Sequence, residues 1–132
     1  MIAAFAVCSL AQRVENGSRK TVGYISVTGT VENGSRTTIG YIDDKEGRIE
    51  NSSRTTIGYI NKEGRVENGS RTTIGYISTS GTVENGSRTT IGYVESNGRV
   101  ENGSRTTIGY AEGVDVRHAA MFFFFFFTPV EK

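Results

Sequence analysis

No tryptophan, one cysteine, one proline and one histidine occur among the 132 residues, and the scarcity of cysteine and histidine excludes whole classes of site. The lone Cys8 permits no internal disulfide and no cysteine metal cluster. The lone His118 has no second histidine or cysteine with which to form a metal site or a nucleophilic triad. Neither a catalytic residue nor a metal or cofactor site is therefore expected. Excess charge of one sign is also missing: 15 Lys and Arg against 14 Asp and Glu leave +1, without the strongly basic face that nucleic acid favours. No stretch reaches the roughly 18–20 apolar residues of a spanning helix. With 36% hydrophobic and 22% charged residues the chain is no disordered tail, and its length suits one domain.

What the chain has is repetition. A Gly-Tyr pair recurs at Gly23-Tyr24, Gly40-Tyr41, Gly58-Tyr59, Gly75-Tyr76, Gly92-Tyr93 and Gly109-Tyr110, at intervals of 17, 18, 17, 17 and 17 residues. A fixed short period marks a repeat architecture, in which each unit buries its apolar side against its neighbours. In the second copy, Asn33-Gly34 predicts a two-residue type I′ turn. Arg36–Ile42 is rich in β-branched and aromatic residues and predicts a strand. Variable turns ending in glycine follow each such strand, at Ser26–Gly29, Asp43–Gly47, Asn61–Gly64, Ser78–Gly81 and Glu95–Gly98. Each leads to a short strand such as Arg48-Ile49-Glu50. The pattern is an antiparallel meander, and nothing in it reads as a helix.

Alternation along a strand places Ile39 and Tyr41 with Ser35 and Thr37 on one face, and Gly40 and Ile42 with Arg36 and Thr38 on the other. Apolar character gathers at one half of the strand on both faces, which predicts petals with one end in a common hub. The tyrosines are expected to be buried there, with Gly40 leaving room for a neighbouring Tyr ring. The end copies keep Val14, Val22, Tyr24, Ile108 and Tyr110 instead of polar caps, so a closed ring is favoured over an open stack. Five glycine-ended turns define five complete units; a leading and a trailing strand remain, and if they pair the ring has six.

Two segments break the repeat. Residues 1–11 are apolar and end in Ser9-Leu10-Ala11, like the hydrophobic part of a secretory signal peptide with cleavage after Ala11, though without its basic start. An N-terminal strand of the fold and a lipid-modified Cys8 are the alternatives. The hairpin repeats then cover 12–111, and 112–132 form a tail. In that tail Phe122–Phe127 is an aggregation hazard if exposed. The run is expected to pack against the petals as a plug or closing core strand; the alternative is a contact surface for a partner, another copy or a membrane.

The repeated Thr-Ile-Gly-Tyr-Ile, the glycine-ended turns with their short following strands, the apolar start and the terminal Phe run together resemble the bacterial five-fold β-flower proteins. The resemblance covers about Gln12 to Phe127. It implies an all-β flower of radially arranged hairpins with five-fold pseudo-symmetry, in secreted or envelope proteins. It implies no established activity, so no functional residue is carried over.

Other motifs are weak. Gly17-Ser-Arg-Lys-Thr21 lacks the order of a phosphate loop. Asp43–Gly47 matches a calcium loop only in composition, because Lys45 stands where a ligand is needed. Asn-Gly-Ser fits the glycosylation pattern, but the turn already explains the asparagine. Glu32 and Arg36 recur in each copy and read as a ladder of opposite charges. The remaining candidate for a ligand is the hydroxyl-rich strip Arg36, Thr37 and Thr38, with its equivalent Arg71, Thr72 and Thr73, repeated around the ring as a multivalent surface. Two functions fit: a non-catalytic structural or interaction module of the envelope or secreted fraction with a protein partner, or a multivalent glycan-binding module. An enzyme would need a cleft built by Asp115, Arg117 and His118. Deletion of Met121–Phe127 is expected to abolish folding or solubility; a soluble truncation with a cooperative thermal transition would contradict the plug.

Overall fold

A computed structural model describes residues 11–127. Twelve strands run in order: β1 (Ala11–Asn16), β2 (Thr21–Ser26), β3 (Thr30–Asn33), β4 (Thr38–Asp43), β5 (Arg48–Asn51), β6 (Thr56–Ile60), β7 (Arg65–Asn68), β8 (Thr73–Ile77), β9 (Thr82–Asn85), β10 (Thr90–Val94), β11 (Arg99–Asn102) and β12 (Thr107–Tyr110). Each strand pairs antiparallel with its sequence neighbours, and β1 pairs with β12 to close a barrel. The all-β ring of hairpin repeats is thus as expected. The five glycine-ended turns join ten of the strands, and the pairing of the chain's first and last strands completes a sixth unit. Of the expected leader, residues 1–10 lie outside the described residues, while Ala11 opens β1 opposite Ser26.

The two rims use the same kind of turn with different residues. At Asn33–Arg36 the Arg36 N–H donates to the Asn33 carbonyl at 2.9 Å, and Arg36 has φ +70°. The Asn33 side-chain oxygen accepts from the backbone N–H of Ser35 and Thr37. This is a three-residue connection ending in a left-handed residue and a bulge, not the expected type I′ turn. Gly34 has no positive φ, and Ser52 stands in its place in the third unit. At the opposite rim the left-handed position belongs to glycine, as at Gly29, whose added Cβ would overlap the Ile42 carbonyl.

Inside the barrel two apolar layers face the axis. One holds Ile25, Ile42, Ile77, Val94 and Ala111, and the other Val14, Val31, Ile49, Val66, Val83 and Val100, all buried. A third level is made of the six repeat glycines. Here the expected petal arrangement needs correction: Gly40 and Ile42 face inward, whereas Tyr41 is half-buried and capped by an arginine outside. The ring lying on Gly40 is not tyrosine but Phe127.

The tail is helical, which corrects both the expected Phe-rich core strand and the absence of helix. Asp115 caps α1 (Val116–Ala120) by accepting from the Arg117 and His118 backbone N–H. A π-helical stretch, Met121–Phe125, continues it, with the Phe126 N–H donating to the Met121 carbonyl. Ala119 and Ala120 are fully buried, and their small side chains let the helix pass within the apolar layers. Then each phenylalanine meets one glycine. Phe122 lies on Gly23, Phe123 on Gly109, Phe124 on Gly92, Phe125 on Gly75, Phe126 on Gly58 and Phe127 on Gly40. β propensity alone would favour a strand here, but only a central helix can direct side chains all round a ring.

Gly81→Ala is expected to cost about 2 kcal/mol or more, because a left-handed backbone and an overlap with the Val94 carbonyl combine there. Gly34→Ala, in an ordinary conformation with its nearest contact at 3.2 Å, is expected to cost less than about 1 kcal/mol. Urea denaturation of the two variants checks the difference.

Candidate functional site

The repeated polar residues form six copies of one cluster on the outer wall. Tyr24 on β2 stands opposite Glu32 on β3. Arg36, three residues past Asn33 at the end of β3, lays its guanidinium 3.8 Å from the centre of the Tyr24 ring and donates to Glu32 at 3.1 Å. The same arrangement recurs with Arg54 on Tyr41, Arg71 on Tyr59, Arg88 on Tyr76 and Arg105 on Tyr93. Across the seam Arg19 covers Tyr110 and donates to Glu15, so residues from the two ends of the chain rebuild the cluster. Hydrogen bonding to Glu15 raises the pKa of Arg19 above the ordinary guanidinium value, and Glu101 does the same for Arg105.

The two strips expected to meet a ligand lie within this pattern but apart from each other, on units separated by a third. Arg36 and Arg71 are engaged with tyrosine and glutamate. The backbone N–H groups of Thr37 and Thr72 donate to the Asn33 and Asn68 side chains. Thr38 and Thr73 open β4 and β8 and are half-buried. The glutamate–arginine ladder is as expected from the sequence; the tyrosine beneath each arginine is the part that reading the sequence missed.

One sector departs from the repeat. The turn Asp43–Gly47 is one residue longer than its equivalents, and a cleft of about 500 Å3 opens beside it. Lys45, Lys62, Arg117 and Asp115 line it, with Met121 among the apolar lining. Here the tail is tied to the wall. The His118 Nε2 lies 2.9 Å from Asp44 Oδ1, and Arg117 donates to the carbonyls of Asn61 and Lys62 at 3.3 and 2.9 Å. Asp115, Arg117 and His118 are thus near one another, but each is engaged in capping or holding the plug. The 18-residue interval was the sequence signal for this asymmetry. Among the described residues no group of three His, Cys, Asp or Glu converges on a metal position, and no helix is long and apolar enough to cross a membrane.

A family model described as "5-fold beta-flower protein" matches residues 11–127. The chain belongs to the 5-fold beta-flower family. No curated protein and no solved structure matches it. The matched span begins with β1 and ends at Phe127, so the beta-flower unit includes the aromatic plug as well as the wall.

In this beta-flower the outer cluster should be measurable as stability. Arg71→Ala removes an exposed cation–π contact and a surface ion pair, and is expected to cost about 1–2 kcal/mol. Arg71→Gly loses the same contacts but relieves the left-handed backbone, so it should be about 1 kcal/mol more stable than Arg71→Ala. Urea denaturation at low and high salt checks both, the ion-pair part fading as salt rises.

Proposed function

We propose that the protein is a non-catalytic structural or interaction module of the bacterial envelope or secreted fraction. The observation that carries this reading is the commitment of its polar side chains to the fold. Asn33 and its equivalents bridge their own turns, each repeat arginine is spent on a tyrosine and a glutamate, and the unique Asp115, Arg117 and His118 hold the plug. An enzyme needs an asymmetric constellation of differing groups aimed at one reacting atom. A closed barrel whose outer faces repeat one structural cluster is better suited to be a rigid scaffold that meets a protein partner. The compartment rests on the apolar, small-residue-ended start of the chain.

The alternative, a multivalent glycan-binding module, requires tyrosine faces free to stack on sugars. All six are covered by guanidinium groups within 3.8 Å, which favours the first reading. Fractionation of producing cells, with mass spectrometry of the mature N-terminus, is expected to find a processed protein outside the cytoplasm; a cytoplasmic protein retaining Met1 would refute the compartment. A glycan array read with the full chain is expected to show no binding. Glycan binding lost on Tyr59→Ala would instead establish the alternative.

A further inference from the structure

Successive phenylalanines of the tail do not fall on the wall at random. Phe122 takes the glycine of the first unit, and the next five take the glycines of the sixth, fifth, fourth, third and second units in turn. The run therefore goes once round the barrel, one residue per unit, and each of the six glycines is used once. At every one of these glycines an added Cβ would fall within 2.9 Å of a phenylalanine ring atom, so ring and glycine occupy space that only this combination can share.

The backbone of the run fits the same reading. Units of a six-unit ring are about 60° apart, whereas an α-helix turns about 100° per residue. The change from α-helix to the wider i→i+5 closure coincides with the start of the run, at Met121. Widening the turn lowers the angle per residue and brings it nearer to the spacing of the units.

We infer that the phenylalanine run is a template that sets the number of hairpin units and enforces closure of the chain on itself. Nothing within one hairpin specifies how many should close a ring: the units are nearly identical, and β1 and β12 are joined by only two paired positions at the seam. A plug with one ring per unit supplies that missing count. With too many or too few rings, either a glycine socket stays empty or a phenylalanine has no socket. The ring then strains or opens, and the unpaired edges of β1 and β12 become available to a second copy of the chain.

The test is a matched pair of deletions. Removing residues 66–82 joins Arg65 to Val83, restores the repeat phrase and deletes Gly75; removing Phe125 deletes the ring that lies on it. The chain lacking both is expected to be a monomer by size-exclusion chromatography with one sharp thermal transition. The chain lacking only the unit, and the chain lacking only Phe125, are expected to melt lower and more broadly or to self-associate. If the unit deletion with all six phenylalanines is as sharp, as stable and as monomeric as the matched chain, the template idea is overturned.

Should the deletions fail to fold, a double-mutant cycle decides. Phe126→Leu removes the Cζ and Cε1 atoms that would strike a Cβ at position 58. The drop in melting temperature caused by Gly58→Ala should be roughly halved in the Phe126→Leu background, the Glu67 carbonyl contact remaining, and undiminished in the Phe124→Leu background. An equal drop in all three backgrounds would refute the one-to-one pairing.

Discussion

Filling the lumen is the constraint on which this structure depends. Barrels of about eight strands are filled by their own inward side chains, and wider ones need a channel or a plug. This barrel has twelve strands, and at one level it presents only glycine. Its own valines and isoleucines cannot meet across such a space. The helical tail with Ala119, Ala120, Met121 and six phenylalanines occupies it. Glycine and phenylalanine are therefore one feature written in two places of the chain: the first makes the sockets, the second fills them. Dispersion contacts across each such fit are small individually and large in sum, and a gap of even a fraction of an ångström forfeits much of them.

Closure is the second consequence. Short hairpins with exposed edges would be poor in stability and prone to pair with other chains. The ring has no such edge, because β1 meets β12 and Arg19 covers Tyr110 as its equivalents do elsewhere. Left-handed arginines are tolerated at six turns because the conformation delivers a guanidinium to both a ring face and a carboxylate. The outer wall gains stability this way and gives up chemical versatility. The longer turn at Asp43–Gly47, where Asp44 meets His118, and the next turn, where the carbonyls of Asn61 and Lys62 hold Arg117, interrupt the pattern and anchor the plug.

Much of the wall could be read directly from the residues. The Gly-Tyr spacing, the β-branched runs and the glycine-ended turns lead to antiparallel hairpins in sequential order. The Glu32 and Arg36 ladder is likewise visible because both recur in each copy. The Asn33 turn was less legible: Asn-Gly suggests a two-residue turn, yet the left-handed residue is Arg36, chosen by a tyrosine on the neighbouring strand. Tyrosine and phenylalanine also exchanged places relative to expectation. Alternation puts Tyr41 and Gly40 on opposite faces but does not say which face is inside. The candidate strips at Arg36–Thr38 and Arg71–Thr73 were identifiable as repeated polar surface, while their stacking partners come from other strands.

Local sequence by itself determined the hairpin, its repetition and the order of strands, since these depend on contacts between residues close along the chain. Tertiary structure alone decided which face turns inward, the helical form of the phenylalanine run and the pairing of its six rings with six glycines. Those outcomes depend on contacts between the tail and strands far from it in sequence, which local neighbours do not reveal. A row of phenylalanines favours a strand when judged against its neighbours in sequence; surrounded by a ring of glycines, it gains more by turning once around the axis.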